Sequence, residues 1–119
     1  PYRWVALSED GGESFTDLHL DYSLVEPWCN GSMTNYASSG SLSRRILFCN
    51  PENPSKRTSM TVKMSHDGGS SWTEFWSLPG KCAAYSDICV LSDGRVAVMY
   101  ENGESSPYER ISFIAKWSR

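Results

Sequence analysis

Two eight-residue segments constrain this chain more than anything else in it. Ser8-Glu-Asp10-Gly-Gly12-Glu-Ser14-Phe15 and Ser65-His-Asp67-Gly-Gly69-Ser-Ser71-Trp72 share a serine, an aspartate, a glycine and an aromatic residue at matching offsets, 57 positions apart. Each has the chemistry of a hairpin turn: aspartate caps backbone N–H groups, glycine supplies positive φ, and the aromatic ring packs underneath. The repeat therefore predicts copies of one supersecondary unit.

The rest of the chain predicts what that unit is made of. Tyr2-Arg-Trp-Val-Ala-Leu7, Arg45-Ile-Leu-Phe-Cys49, Met60-Thr-Val-Lys-Met64, Ala84-Tyr-Ser-Asp-Ile-Cys-Val-Leu91, Val96-Ala-Val-Met-Tyr100 and Ile111-Ser-Phe-Ile-Ala-Lys-Trp117 are short, rich in β-branched or aromatic residues, and bounded by Gly, Pro, Asn, Asp or Ser. No run of a dozen residues keeps a helical apolar period, and Ser92-Asp93-Gly94 reads as a tight hairpin turn. The chain is expected to be all-β, and 57 residues lies in the range of a four-stranded propeller blade with longer loops.

If each box joins the third and fourth strands of a blade, 2–7 and about 16–20 form the outer half of one blade. A complete blade follows at about 31–36, 44–49, 59–65 and 72–78, and three strands near 84–91, 95–101 and 110–117 begin another. The corresponding units are 1–25, 26–80 and 81–119. Strands alternate in direction, so both boxes lie on one rim. Tyr85 opens a first strand, Glu101 ends a second and Arg57 precedes a third, which places all three on the opposite rim. Neighbouring blades should bury strand 84–91 on both faces.

Composition excludes several function classes. Eleven Lys and Arg stand against 14 Asp and Glu, a net charge of −3, which is the wrong balance for a nucleic-acid surface. No apolar run approaches the ~20 residues that span a bilayer, and any targeting segment is expected outside these residues. Cys29, Cys49, Cys82 and Cys89 form no C-x-x-C pair and have no adjacent histidine, so no metal site is expected. They either pair or stay reduced. His19 and His66 fall outside the rim set and read as surface residues.

The boxes resemble the Asp-box of sialidases and related β-propellers, with Ser8, Asp10, Gly12, Phe15, Ser65, Asp67, Gly69 and Trp72 in the structural positions. Ala84-Tyr85-Ser86-Asp87, then Asp93-Gly94-Arg95 and Tyr100-Glu101, resembles the family segment that carries a nucleophilic tyrosine. Phe48-Cys49-Asn50-Pro51, Arg57 and Thr61-Val62 resemble the segment with the last of three substrate-binding arginines. Pro27-Trp28-Cys29-Asn30-Gly31-Ser32 is similar to a further stretch, with Asn30 where the family commonly has Gln. The resemblance covers nearly the whole chain in family order. It implies the last third of a six-bladed ring, which needs roughly three times this length. The first two arginines, an acid/base aspartate and a glutamate partner for the tyrosine are then expected in blades upstream of Pro1. Arg3 lies too close to the first box to match the second arginine and receives no substrate role.

The implied activity is that of a retaining exo-α-sialidase acting on terminal sialic acid of glycoconjugates, without metal or cofactor. A secreted, periplasmic or lysosomal setting fits it better than a cytoplasmic one. The chemistry is coherent. Sialic acid carries a carboxylate on the carbon that is attacked, which repels an anionic nucleophile but not a neutral phenol. A phenol ionises near pH ~10 and needs a neighbouring base. By the same resemblance Tyr85 is the nucleophile, and Arg57 offers the planar fork that pairs bidentately with the substrate carboxylate. Glu101 is the residue that orients the first arginine, and Glu26, Trp28 and Asn30 are pocket-wall candidates. Each has a plainer reading: a tyrosine in a strand as core, an arginine in a loop as solvated, a glutamate before Asn102-Gly103 as the start of a turn. Two other functions share these residues. One is a non-catalytic Asp-box propeller that binds glycan or protein; the other is a trans-sialidase, in which a sugar acceptor replaces water.

Overall fold

The computed structural model describes residues 1–37 and 44–118. The described residues hold nine strands and no helix, and so no helix able to cross a membrane. β1 (Tyr2–Val5) pairs with β2 (His19–Val25). β3 (Ser32–Asn35), β4 (Ile46–Pro51), β5 (Met60–Ser65) and β6 (Thr73–Ser77) form a four-stranded meander, and β7 (Cys82–Val90), β8 (Val96–Gly103) and β9 (Arg110–Lys116) a three-stranded one. All pairings are antiparallel. The hairpin at Ser92-Asp93-Gly94 forms as read, with Gly94 at φ 90° and Leu91 and Arg95 closing the turn.

The middle sheet lies between the other two, and the period-2 alternation of its strands decides which side chain meets which neighbour. Leu47, Cys49, Met60, Val62 and Met64 pack with Ala83, Ile88, Val96, Val98 and Tyr100 of the third sheet in one core. The alternate residues face the first sheet: Asn50 Nδ2 donates to the Val25 carbonyl (2.9 Å), and Lys63 Nζ donates to Ser23 O (2.6 Å) while pairing with Glu52. Every residue of β5 is consequently buried.

Two expectations need correcting. Strand 84–91 is not buried on both faces: Ala83, Ala84 and Ile88 are covered, whereas Tyr85, Asp87 and Cys89 are exposed. Only one face of its sheet packs on another, so double burial falls to β5, whose sheet is flanked on both sides. The second strand starts at His19 rather than about Thr16. Thr16 instead closes the first box, donating its N–H to Leu7 O (2.8 Å) and accepting the Leu7 N–H on its hydroxyl (2.9 Å).

The two boxes repeat the same hydrogen bonds, with distances that agree to within about 0.1 Å. Ser8 Oγ donates to Asp10 Oδ1 at 2.8 Å, as Ser65 does to Asp67 at 2.7 Å. The Gly12 and Gly69 amides each reach their serine oxygen at 2.8 Å, and the Ser14 and Ser71 amides each reach their aspartate at 2.9 Å. Gly11 and Gly68 sit at φ 75° and 77°, Gly12 and Gly69 at 97° and 94°, conformations that an L side chain strains to adopt. Ser14 and Ser71 also donate their hydroxyls to the same carboxylates. That second serine is part of the motif's hydrogen bonding, although the sequence reading gave it no role.

Candidate active site

At the end of the strands away from the boxes, four separate segments meet: 26–31 after β2, 52–59 before β5, 83–85 in β7, and 101–109, which spans the end of β8 and the connection that follows it. Their backbone is held before any side chain is considered. Asn53 Oδ1 accepts the Ser55 and Lys56 amides, and Thr58 N–H donates to Lys56 O, which puts Arg57 at the centre of a three-residue turn. The Arg57 carbonyl accepts the Ala83 amide at 2.8 Å, and Thr58 bridges to Cys82. The arginine loop is thus tied to β7 two residues before Tyr85.

Tyr85 lies on the open face of its sheet with Asp87 and Cys89, beside a β-bulge. Ala83 opposes Asn102 and Ser86 opposes Tyr100, so Ala84 and Tyr85 together face Glu101 alone. A bulge leaves one amide out of the ladder and re-aims a side chain. The freed Tyr85 N–H donates to Glu101 Oε2 at 3.0 Å, and the Tyr85 ring is 46% exposed. It is not a core tyrosine; the core tyrosine of this sheet is Tyr100, whose hydroxyl donates to Pro79 O. Inside the bulge, Ser86 Oγ donates to Cys49 O (3.2 Å) and meets Ser32 Oγ (2.9 Å), which pins β7 to β3 and β4.

The Arg57 guanidinium carbon lies 5.6 Å from the centroid of the Tyr85 ring. Nη1 donates to Tyr108 Oη (2.8 Å) and Nη2 to the Trp28 carbonyl (3.0 Å). Two of the five N–H donors of the fork are engaged and each terminal nitrogen keeps another. A planar carboxylate is the complement of such a fork.

The segment after β2 carries the three wall candidates. Glu26 Oε2 accepts the Cys29 amide (3.1 Å) and lies 3.7 Å from Arg3, whose guanidinium also donates to Cys29 O and covers the Phe48 ring. Trp28, 84% exposed, has φ 57°, and Ser59, next to the arginine loop, has φ 61°. Among the described residues these are the only non-glycine positions with positive φ, and both are at this rim. Backbone strain of this kind is kept where surrounding contacts enforce it, often at ligand sites. Asn30 is exposed beside them. Cys29 is buried at this rim and Cys49 below it; burial raises the Cys29 thiol despite Arg57 and Arg3, and pushes Cys49 up to about 12. Neither is a thiolate nucleophile. All four cysteines are free thiols, and no three His, Cys, Asp or Glu side chains among the described residues converge as metal ligands.

Arg57, Tyr85 and Glu101 therefore share one rim, with Trp28 and Glu26 beside them, while the boxes, His19 and His66 lie elsewhere; both histidines are exposed. Two residues of this rim escaped the sequence reading. Arg3 braces the 26–31 segment, and Tyr108 holds Arg57. Tyr108 follows Ser-Ser-Pro in a connection, where nothing but turn composition is visible in the sequence.

A family model described as a BNR repeat-like domain matches residues 1–98. The chain belongs to that family. Among curated proteins, this BNR repeat-like chain is 32% identical over 111 residues to a sialidase of Micromonospora viridifaciens, covering 90% of the chain and 17% of that protein. It is 26% identical over 106 residues to a sialidase of Bacteroides fragilis, covering 84% and 20%. The chain thus spans about a fifth of these relatives. Its fold is similar to that of an intramolecular trans-sialidase from Ruminococcus gnavus solved with oseltamivir carboxylate (TM-score 0.74, 21% identity, 98% of this chain and 28% of that one). A Hadza microbial sialidase is also similar (TM-score 0.72, 25% identity, 94% and 22%). The fold is that of a sialidase-type β-propeller.

Proposed function

We propose that this chain is the C-terminal part of a retaining exo-α-sialidase, about the last third of a six-bladed ring, with Tyr85 as nucleophile and Arg57 as a clamp on the substrate carboxylate. One observation carries the reading: an outward-turned tyrosine stands beneath an arginine fork that is fixed at both terminal nitrogens yet still has donors to offer. In the first step the Tyr85 oxygen bonds to the anomeric carbon as the glycosidic bond breaks. The leaving oxygen takes a proton from an acid, and the phenol proton passes to a base. In the second step water displaces the tyrosine. Acid, base and two further arginines come from blades outside these residues. Glu101 keeps one carboxylate oxygen on the Tyr85 amide and turns the other to one of those arginines. Sialylated glycan is the substrate class, as the sialidase relatives suggest.

The test is hydrolysis of a fluorogenic α-sialoside by the intact protein, with the products identified. Free sialic acid as the α-anomer first formed is the expected result, and the isolated 119-residue chain should release none. Turnover by the isolated chain would refute the division of labour. An intact protein that binds sialylated glycan without cleaving it would be a binding module, and one that passes the sugar to an acceptor a transferase.

A further inference from the structure

The connection between β8 and β9 is built more firmly than an exposed loop requires. Glu109 folds back so that Oε1 accepts the Ser105 (2.7 Å) and Ser106 (2.9 Å) amides and Oε2 the Glu104 amide (3.2 Å). These three N–H groups hold its carboxyl below the usual range. Ser106 Oγ accepts the Tyr108 amide, and Arg110 ties the base of the loop to Asn102 (2.8 Å). A Cβ on Gly103 would lie 2.1 Å from Ser106 O and 2.7 Å from Glu109 Cδ, so the loop closes this tightly only over a glycine. What it presents is Tyr108, 63% exposed, with its hydroxyl on Arg57 Nη1. Burial does not place this ring; its loop and the arginine do.

We propose that Tyr108 is a positioning residue for the carboxylate site, fixing the Arg57 fork from the side opposite the Trp28 carbonyl, with Glu109 holding the loop that presents it. This rests on reading Arg57 as the carboxylate ligand. With Trp28 O alone, the guanidinium rotates about its own stem and must be ordered again each time an anion binds. With both acceptors in place its plane is set beforehand, and ordering no longer opposes binding. The effect belongs to ground-state binding, so it acts on KM and on the affinity of carboxylate ligands rather than on kcat.

The experiment uses the intact protein and four variants: Tyr108→Phe, Glu109→Gln, Arg57→Lys and the Tyr108→Phe/Arg57→Lys double. Steady-state kinetics on an α-sialoside are combined with inhibition by a planar unsaturated sialic-acid analogue and by its methyl ester. Tyr108→Phe is expected to raise KM and the inhibition constant of the acid about 5- to 10-fold, the net scale of one ordinary hydrogen bond, with kcat and Tm unchanged and the ester unaffected. Glu109→Gln should shift the same constants in the same direction by less. In the Arg57→Lys background the Tyr108→Phe effect should vanish, because the two act as one unit. Full additivity in the double variant, or equal losses for acid and ester, would overturn the proposal. An Arg57→Lys variant that binds the acid like wild type would instead overturn the reading of Arg57, whatever Tyr108 does.

Discussion

The two rims of this protein are made in opposite ways. On the box rim the hydrogen bonds that define each turn lie within eight residues, serine hydroxyl and amide to aspartate and glycine amide to serine, with Arg44 added to the second box from outside. At the other rim the loops are locally bonded but the contacts between the site residues are not. Arg57 reaches Trp28 and Tyr108, positions 29 and 51 residues away, and Tyr85 reaches Glu101 across 16. The box rim holds positive φ on glycines, where it is unstrained, and the other rim holds it on Trp28 and Ser59. One rim consists of turns whose defining bonds are local. The other exists only once three sheets are assembled, and it carries strain that the assembly enforces.

The comparison breaks first, and by the largest effect, at Tyr85. Tyr85→Phe keeps the ring over which Arg57 sits and removes the oxygen. In the intact protein turnover should fall by about a thousandfold or more while Tm stays within about a degree, since loss of a covalent nucleophile touches chemistry and not packing. Full activity in this variant would return Tyr85 to a structural role. Next in size is Arg57→Lys, which keeps the charge and loses the fork. Binding of a planar carboxylate analogue, measured by calorimetry, should weaken by about 2–3 kcal/mol, the scale of a charge-assisted hydrogen bond. An unchanged affinity would mean that the arginine serves only to brace the loops.

The same division explains what was legible in the sequence. Ser65, Asp67 and Gly69 could be read because the contacts that give them meaning lie within the segment. Strand order could be read because a meander leaves little choice of neighbour, and from order alone Arg57, Tyr85 and Glu101 fall on one rim. That the Tyr85 amide leaves the ladder for Glu101 could not be read. It depends on the bulge between Ala83 and Ser86, set by pairing with a strand 16 residues on. Tyr108 was invisible for a similar reason: its partner is 51 residues away, and its loop is shaped by a carboxylate and a missing Cβ at Gly103. The burial of 84–91 was misjudged because flanking strands tell how a sheet is ordered and not how many of its faces are covered.

A smaller effect separates the boxes from each other. Trp72 is half-buried, meets Phe48 edge-on at 6.1 Å and donates Nε1–H to Asp21 (3.1 Å), whereas Phe15 is 65% exposed. Trp72→Ala should lower stability by about 2–3 kcal/mol, below the range for a fully buried aromatic, and Phe15→Ala by less than about 0.5 kcal/mol. Urea unfolding of both variants checks this, with kcat and KM expected unchanged in each. Equal losses would show that the first ring is covered in the intact protein.

The smallest effect is a titration, and it sharpens the likeness of the two turns. Asp10 is held down to about 2 by the Ser14 hydroxyl, then the Ser14 amide, then the Ser8 hydroxyl, from an ordinary 3.8. Asp67 is held lower still by the Ser71 and Ser65 hydroxyls, with the Ser71 amide third. All of these donors stabilise the carboxylate and not the acid. A carboxyl whose folded pKa lies below its unfolded value stabilises the fold above the unfolded value and loses that contribution as pH falls through the folded one. For Asp10 the window runs from about 4 down to about 2. Side-chain carboxyl shifts followed by NMR between pH 5 and pH 1.5, which brackets the ordinary carboxylate value of about 3.9, should show Asp10 titrating well below that value and Asp67 below Asp10. Thermal stability should decline over the same interval and recover on return to pH 5. In Ser71→Ala the Asp67 carboxyl loses its leading donor and should move up toward the ordinary range, past Asp10, while Asp10 stays where it is. If both aspartates titrate together near 4 in the wild type, the carboxylates are not the acceptors that close these turns, and the box rim is held by its glycines alone.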